Sequence, residues 1–225
     1  MSDTAVLEKL QKENQEKKNN DLIIVFTGPP ASGKTKIVEG VFADPMIASC
    51  FVKIIPATTR NLQPGERTGV DYWFLTPEEF RSGIEEGIII GCMEYGREKY
   101  GEKYGILIPE VDRVFNLLRN PILVVDTNGA EALKHHYGKE NVASIFVYRD
   151  LKDILKELEK RYKDKEKVNE KFEQVKKDLS NVVKCDRILY NTGNYEEVTK
   201  EAISLIHDIC YEYYKISRDK QKAIE

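Results

Sequence analysis

The amino-acid sequence predicts an α/β protein in which a parallel β-sheet is covered by helices on both faces. Short apolar runs, too short to form helices, alternate along the chain with stretches of helical spacing. A glycine-rich turn joins the first such run to the first such stretch. Because apolar strands that alternate with helices are typical of parallel sheets buried on both faces, we expect a single α/β core.

The individual elements follow from these patterns in chain order. Residues 22–26 (LIIVF) form the first predicted strand, and residues 36–42 (KIVEGVF) form the helix after the turn. Further helices are expected at residues 130–137 and 195–215. The other buried strands of the core are predicted at residues 51–55, 122–125, 143–147 and 187–190.

Two regions depart from this alternation. Residues 60–104 are rich in glycine, tyrosine and charge, and predict a small inserted subdomain with short β-pieces and a helix at 77–86. Residues 152–178 are dominated by charged residues, with apolar side chains at helical spacing. This second region predicts two amphipathic helices joined by a polar turn, which is either a solvated hairpin or a mobile lid.

Composition excludes several classes of protein. The chain has 225 residues, of which 41% are hydrophobic and 32% charged, and its formal net charge is −3. Because acidic and basic residues nearly balance, we expect no role in coating nucleic acid. No stretch approaches the roughly 20 apolar residues that span a bilayer, and the polar N-terminus lacks a signal-peptide pattern, so we expect a cytoplasmic protein without membrane contact.

The glycine-rich turn at residues 28–35 (GPPASGKT) matches the phosphate-loop spacing GxxxxGK[ST]. Its position between a buried strand and a helix supports this interpretation, because backbone N–H groups and the helix N-terminus then face the phosphates. Lys34 should reach the β- and γ-phosphates, and the Thr35 hydroxyl should help to hold Mg²⁺. We therefore predict that ATP is bound by Gly28, Pro29, Pro30, Ala31, Ser32, Gly33, Lys34 and Thr35.

A second metal-directed residue is expected at the end of a neighbouring strand. Asp126 directly follows the apolar run at residues 122–125. A carboxylate there can orient Mg²⁺ and its waters, and it can equally cap the following helix. We predict Thr35 and Asp126 as the metal-directed pair.

The segment after the second strand resembles the guanylate kinase family. It carries TTR at residues 58–60, PGE at 64–66, DYWF at 71–74 and PEEF at 77–80, in the order typical of that family. The resemblance covers about residues 22–210. It implies a P-loop NTPase fold with three layers, a parallel sheet, an inserted subdomain that binds a nucleoside monophosphate (the NMP-binding insertion) and a helical lid.

The resemblance also implies a domain organisation. Residues 1–20 form a polar arm or helix, residues 21–216 a single guanylate-kinase-like domain, and residues 217–225 a polar tail. Within the domain, the core comprises residues 21–58, 105–150 and 185–216. The NMP-binding insertion then spans residues 59–104, and the lid spans residues 151–184.

By resemblance, the acceptor phosphate is held by Arg60, Tyr72 and Tyr104. An arginine fork suits phosphate oxygens, and tyrosine hydroxyls add hydrogen bonds without charge. The tyrosine-glycine pair occurs twice, so Tyr100 is an alternative to Tyr104. Gln63 stands where the family has a second phosphate-binding arginine, and it supplies hydrogen bonds without charge.

The positions that read guanine in the family are changed here. Pro56 replaces a serine, Gly91 a glutamate, and Val124 the first aspartate of an Asp-x-Asp pair. Glu94 can substitute for the missing glutamate if the extra residues of this segment lie before it. A site built to hydrogen-bond guanine discriminates strongly, because polar groups that another base leaves unpaired are costly. The loss of these groups therefore predicts relaxed or redirected base specificity.

In the lid and the last loop, the resemblance assigns two further residues. Arg161 is the retained lid arginine that stabilises the transferring phosphoryl group, whereas Glu157 and Lys171 occupy two other arginine positions. An ordinary ion pair between Glu157 and Arg161 is the alternative. Asn191 lies where the family contacts adenine, with a capping or turn role as the alternative.

The expected function is transfer of the γ-phosphoryl group of Mg-ATP to GMP or dGMP by a monomer or homodimer, with Lys34, Arg60 and Arg161 as catalytic residues. Two alternatives stay open at this point. One is a related kinase with another acceptor, either another nucleotide or a phosphosugar of the ribose 1,5-bisphosphate type. The other is a non-catalytic binding module, for which an intact phosphate loop would be unnecessary.

Overall fold

The computed structural model of the protein describes residues 21–95 and 101–222. Residues 1–20, assigned from sequence to an arm or helix, lie outside this range. The described strands are β1 (Ile23–Thr27), β2 (Phe51–Lys53), β3 (Ala57–Thr58), β4 (Trp73–Phe74), β5 (Ile89–Tyr95), β6 (Glu102–Leu107), β7 (Asn120–Val124), β8 (Val142–Tyr148) and β9 (Arg187–Tyr190).

The helices alternate with these strands. They are α1 (Lys34–Val41), α2 (Pro45–Cys50), α3 (Pro77–Glu85), α4 (Ile108–Asn116), α5 (Thr127–Tyr137), α6 (Leu151–Arg161), α7 (Lys165–Leu179) and α8 (Tyr195–Lys222). Short 3₁₀ turns occur at Lys139–Asn141 and Ser180–Lys184.

A five-stranded parallel sheet forms the centre of the molecule, in the order β2-β7-β1-β8-β9. Side chains of β1 alternate between the two faces, as the pleat requires. Ile24 and Phe26 pack with α1 and α8 on one face, whereas Ile23 and Val25 pack with α4 and α5 on the other. The three-layer α/β architecture predicted from the sequence is confirmed.

A second, four-stranded sheet with the order β4-β3-β6-β5 lies in the predicted insertion. Strand β3 runs parallel to β4 and antiparallel to β6, and β5 pairs antiparallel with β6. Phe80 of α3 is buried against Ala57 and Ile89 beneath this sheet. A capping box between Thr76 and Glu79 fixes the start of α3.

Helices α6 and α7, which together we call the lid, follow β8. Their apolar side chains form a cluster of their own around Ile154, Leu158 and Val175, and this cluster includes Ala31 of the phosphate loop. The turn between the helices ends at Asp164, whose side chain accepts a hydrogen bond from the Glu166 N–H at 2.9 Å. The lid therefore packs directly on the phosphate loop.

Helix α8 is longer than the sequence pattern predicted. It continues to Lys222, past the expected end near residue 215 and into the segment assigned to the tail. No glycine or proline stands between residues 215 and 222 to end it, and most residues there are good helix formers. Within the described residues, no helix is long and apolar enough to cross a bilayer.

Candidate active site

The phosphate loop at residues 28–35 leaves the carboxyl end of β1 and enters α1. Gly28 and Gly33 have φ angles of +135° and +95°, conformations that L side chains rarely adopt. A Cβ at Gly28 would lie 2.7 Å from the carbonyl oxygen of Val147. Only glycine therefore allows the loop to turn this close to β8.

Lys34 is the first residue of α1. Its ammonium donates to the carbonyl oxygens of Gly28 and Pro29, each at 2.7 Å, and so closes the loop upon itself. Burial lowers the pKa of Lys34 to about 8, although the carboxylates of Asp178 and Asp126 oppose this shift. The lysine is thus a cation withdrawn from water, and an arriving phosphate would stabilise its charge.

Two side chains from distant strands hold the loop in place. Asn191, which is 5% exposed, donates from Nδ2 to the Ser32 carbonyl at 2.7 Å, while its Oδ1 accepts from the Gly193 N–H at 3.0 Å in a turn. Arg149 donates to the Ala31 carbonyl at 3.1 Å. Asn191 therefore serves both the turn and the loop, and the assigned adenine contact stays a prediction.

Thr35 and Asp126 supply the oxygen atoms expected for a metal. Thr35 is exposed near the N-terminus of α1, and Asp126 caps α5 by accepting from the Gly129 N–H at 2.8 Å. Burial raises the pKa of Asp126. No group of three or more metal-ligating side chains occurs among the described residues. A hydroxyl and a carboxylate nonetheless fit Mg²⁺, which is commonly bound through one or two carboxylates together with substrate phosphates.

A cavity of about 360 Å³ joins the phosphate loop to the inserted sheet, and we call it the central cavity. It brings Lys34 and Asp126 together with Tyr72 and Tyr104, as the motifs predicted. Its wall is completed by Gly28, Pro30, Pro56, Gly91, Glu102, Gly105, Ile106, Val124, Val125, Tyr162, Lys171 and Asp178.

Arg60 is engaged in a two-pronged ion pair that the sequence analysis missed. Its Nη1 and Nη2 atoms donate to Glu66 at 3.0 and 2.8 Å, and its side chain is only 12% exposed. The hydrogen bonds to Glu66 raise the pKa of Arg60, which keeps it charged. The guanidinium also lies 5.3 Å from the centre of the Tyr72 ring. Glu66 therefore fixes the orientation of the arginine.

Arg60 and Gln63 line a second cavity of about 390 Å³ rather than the central one. Glu102 lines both cavities, so the two adjoin each other. Arg60 thus belongs to the cavity beside the one that holds Lys34, Tyr72 and Tyr104, and its assigned role at an acceptor phosphate stays a prediction.

Tyr72 and Tyr104 meet edge to face, with ring centroids 5.8 Å apart. The Tyr104 hydroxyl donates to Glu102 at 3.2 Å, and burial raises the pKa of Tyr104 to about 12. Both hydroxyls therefore stay neutral donors at physiological pH. The alternative ligand Tyr100 lies outside the described residues.

Three positions assigned to base recognition line the central cavity. Pro56, Gly91 and Val124 all line it, and none offers a polar side-chain atom. A Cβ at Gly91 would lie 2.9 Å from the Cα of Gly129, so the backbone of β5 packs against that of α5. The backbone of Glu94 in β5 pairs with that of Lys103 in β6, while the Glu94 side chain lies outside the described part of the chain.

Arg161 forms an ion pair with Glu157, which the sequence analysis gave as the alternative to a role at the phosphates. Its Nε donates to Glu157 at 3.1 Å, and about half of its side chain is exposed. Its charge nevertheless lowers the pKa of Lys34, which places the two cations within electrostatic range. The structure therefore shows the pair, and a role at the phosphates stays a prediction.

Three residues at the site escaped the sequence analysis. Glu66 belongs to the PGE motif, but the motif does not show that it pairs with Arg60. Asp178 and Arg149 are far from the loop in sequence and carry no motif. Only the folding of the lid onto the phosphate loop places Asp178 in the central cavity.

Comparison with known proteins gives this geometry a family. Residues 20–208 match the sequence model of the guanylate kinase family. The guanylate kinase of Porphyromonas gingivalis is 31% identical over 158 residues, covering 70% of this chain and 81% of that protein. That of Salinibacter ruber is 33% identical over 172 residues, covering 75% and 87%.

A solved structure shows the same fold. The crystal structure of guanylate kinase from Anaplasma phagocytophilum superposes with a TM-score of 0.62 and 22% identity, over 84% of this chain and 85% of that one. The family match over most of the chain agrees with the phosphate loop, the inserted sheet and the lid described above. The chain therefore belongs to the guanylate kinase family.

Proposed function

We propose that this chain transfers the γ-phosphoryl group of Mg-ATP to GMP or dGMP, giving GDP or dGDP. The observation that carries the proposal is the central cavity, which joins Lys34 of the phosphate loop to Tyr72 and Tyr104 of the inserted sheet. A donor site and an acceptor site that share one space are what direct transfer between two phosphates requires. The guanylate kinases among the relatives support this reaction.

In this mechanism the protein mainly aligns and stabilises. The backbone of residues 28–35 holds the donor phosphates, and Lys34 leaves the Gly28 and Pro29 carbonyls to contact them. Arg60 and the hydroxyls of Tyr72 and Tyr104 hold the acceptor phosphate. Arg161 leaves Glu157 to stabilise the charge of the transferring group as the lid excludes water.

We assign the metal to Thr35 and Asp126. When bound with ATP, Mg²⁺ would neutralise charge on the phosphates that approach each other. Thr35 supports this because it is exposed at the start of α1, beside the loop. Asp126 supports it because its carboxylate lines the central cavity with Lys34.

The comparisons do not favour the alternatives left open by the sequence. A phosphosugar kinase is not among the relatives named here, which are guanylate kinases. A non-catalytic module would not need a buried lysine closing a complete phosphate loop. GMP is therefore the acceptor proposed, and Gln63 and Glu94 are proposed as auxiliary acceptor contacts.

Further proposals concern location and assembly. We place the enzyme in the cytoplasm, as a monomer or homodimer acting on small anions rather than on nucleic acid. The near balance of acidic and basic residues supports small anions as substrates, because coating of nucleic acid would require a basic excess. Sedimentation of the purified protein would decide between monomer and homodimer.

The test is ADP formation from Mg-ATP in the presence of single acceptors. We expect turnover that depends on GMP or dGMP, with less or none from AMP, UMP and ribose phosphates. ATP turnover that no monophosphate stimulates would contradict the proposal. Turnover with a ribose phosphate alone would replace GMP by the phosphosugar.

A further inference from the structure

The central cavity carries an unusual balance of charge for a site that must accept two phosphorylated substrates. Its lining includes two lysines, Lys34 and Lys171, and three carboxylates, Glu102, Asp126 and Asp178. The arginines assigned to the phosphates do not change this balance, because Arg60 is paired with Glu66 and Arg161 with Glu157. The described lining is therefore more acidic than basic.

Asp178 is the carboxylate that the proposed reaction leaves unexplained. It lies near the end of α7, half-buried, and its Oδ1 accepts a hydrogen bond from Gln174 Nε2 at 2.8 Å. Val175, one turn earlier, is buried in the cluster that includes Ala31 of the phosphate loop. Packing of α7 on the loop thus holds Asp178 over the donor site.

The charge of Asp178 acts directly on the phosphate-binding lysine. Among the charges that oppose the lowered pKa of Lys34, Asp178 has the largest effect, ahead of Asp126. Lys34, Asp126 and Asp178 line the same cavity, so a carboxylate from the lid lies beside the proposed place of the phosphates.

We propose that Asp178 makes the donor site select Mg-ATP over metal-free ATP. In the empty site Asp178 and Lys34 line the same cavity with opposite charges. When the polyphosphate enters, Asp178 repels it, and this repulsion is strong because the site is partly withdrawn from water. A divalent cation on the phosphates reverses the sign of the interaction, so the same carboxylate favours the metal complex. This inference rests on the proposed function, since it concerns the same ATP site.

The test is the ratio of two dissociation constants, measured by isothermal titration calorimetry on the full chain without an acceptor. One is for ATP in the presence of EDTA, and the other is for ATP with excess Mg²⁺. For Asp178→Asn we expect metal-free ATP to bind at least about fivefold tighter than to the unmodified chain. Mg-ATP should bind equally or more weakly, so that the preference for the metal complex falls by the same factor or more.

Two variants separate charge from structure. Asp178→Glu keeps the carboxylate and should keep the preference. Glu173→Gln removes an exposed lid carboxylate from the same helix, which pairs with the nearby Lys176 at 2.7 Å, and should also leave the preference unchanged. Thermal unfolding of each variant identifies those that lose the fold. If Asp178→Asn is unfolded, the preference for Mg-ATP is compared between Asp178→Glu and the unmodified chain.

The outcomes distinguish the role of Asp178 from the proposed kinase function on which it rests. An unchanged preference in Asp178→Asn would overturn the role of Asp178 and leave the kinase proposal intact. Loss of the preference in Asp178→Glu as well would also overturn it, because the charge would then not be the cause. Failure of the unmodified chain to bind either form of ATP would overturn both.

Discussion

The two halves of the site are built in different ways. The donor half is a backbone structure, in which the loop at residues 28–35 grows from the most buried strand and is fastened by Asn191 and Arg149. The acceptor half consists of side chains on a small sheet, where Arg60 depends on Glu66 and Tyr104 on Glu102. The donor half therefore depends largely on the course of the backbone, whereas the acceptor half depends on the identity of each side chain. Single substitutions should for this reason separate the two halves.

The largest expected effect is on the donor half. Lys34→Ala should lower the rate of phosphoryl transfer by about 10³-fold, because a charge that stabilises the transition state within a partly dry site is lost. Steady-state kinetics with ATP and GMP would measure it.

Lys36→Ala is the matched control for this change. Lys36 lies on the same helix, is exposed and rests on the Tyr195 ring at 3.7 Å. It should leave the rate nearly unchanged. Equal losses in both variants would mean that helix α1, rather than the Lys34 charge, is what matters.

The next effect isolates the acceptor half. Arg60→Ala should raise the KM for GMP by about 10²-fold and leave the Kd for ATP unchanged, since it removes the fork that binds phosphate. Adding Glu66→Gln to that variant should recover part of the loss, because the carboxylate left behind repels the acceptor.

Arg113→Ala provides the control, since Arg113 forms an exposed ion pair with Glu110 at 3.0 Å. Its removal should alter neither constant. If Arg60→Ala raised the Kd for ATP as much as the KM for GMP, the separation of the two halves would be wrong.

Titration distinguishes the halves next. Burial lowers the pKa of Lys34 to about 8, and ATP requires its protonated form. The affinity for ATP should therefore fall as the pH rises above 8, by up to about tenfold per pH unit. The affinity for GMP should stay flat between pH 7 and 9, below the range in which the guanine ring itself loses a proton, because the pKa of Tyr104 is raised to about 12 and that of Arg60 is raised as well.

Calorimetric titration with each nucleotide between pH 7 and 10 would measure both curves. Lys34→Gln should remove the slope for ATP. A slope that persists in this variant would assign the titration to another group.

The smallest expected effect concerns the fastening of the donor loop. Asn191→Ala leaves the Ser32 carbonyl without its buried donor, which should cost about 1–3 kcal/mol of unfolding free energy. The affinity for ATP should fall only a few-fold, because in this role Asn191 supports the loop and does not itself contact ATP. Urea denaturation and ATP titration would measure the two effects.

Asn116→Ala, at an exposed position at the end of α4, is the control for stability. A large loss of ATP affinity in Asn191→Ala without a loss of stability would favour the adenine contact over the structural role.

The sequence was most informative where the chemistry is local. The phosphate loop is encoded in eight consecutive residues, and five consecutive apolar residues predict the strand before it. The core strands followed from short apolar runs, and the two lid helices followed from apolar side chains at helical spacing, which are local signals as well. Helix α8 was underestimated because its last turns carry few apolar residues, although nothing in them breaks a helix.

The contacts that the sequence did not reveal connect distant segments. Asp178 lines the same cavity as Lys34 only because the lid folds onto the loop, and Arg149 donates to the Ala31 carbonyl across more than a hundred residues. The partner of Arg60 was missed for another reason. Glu66 was recognised as part of a motif, yet a motif gives the order of residues and does not show which of them form ion pairs.

The contact between Gly91 and Gly129 has a consequence for how this site can evolve. Gly91 has a φ of +60°, and any side chain there would collide with the backbone of α5. A glutamate at this position is therefore sterically blocked, since the helix capped by Asp126 would have to move with it. A polar side chain that contacts a base is accommodated more readily at other residues that line the central cavity, so the selectivity of the site can change while Gly91 stays fixed.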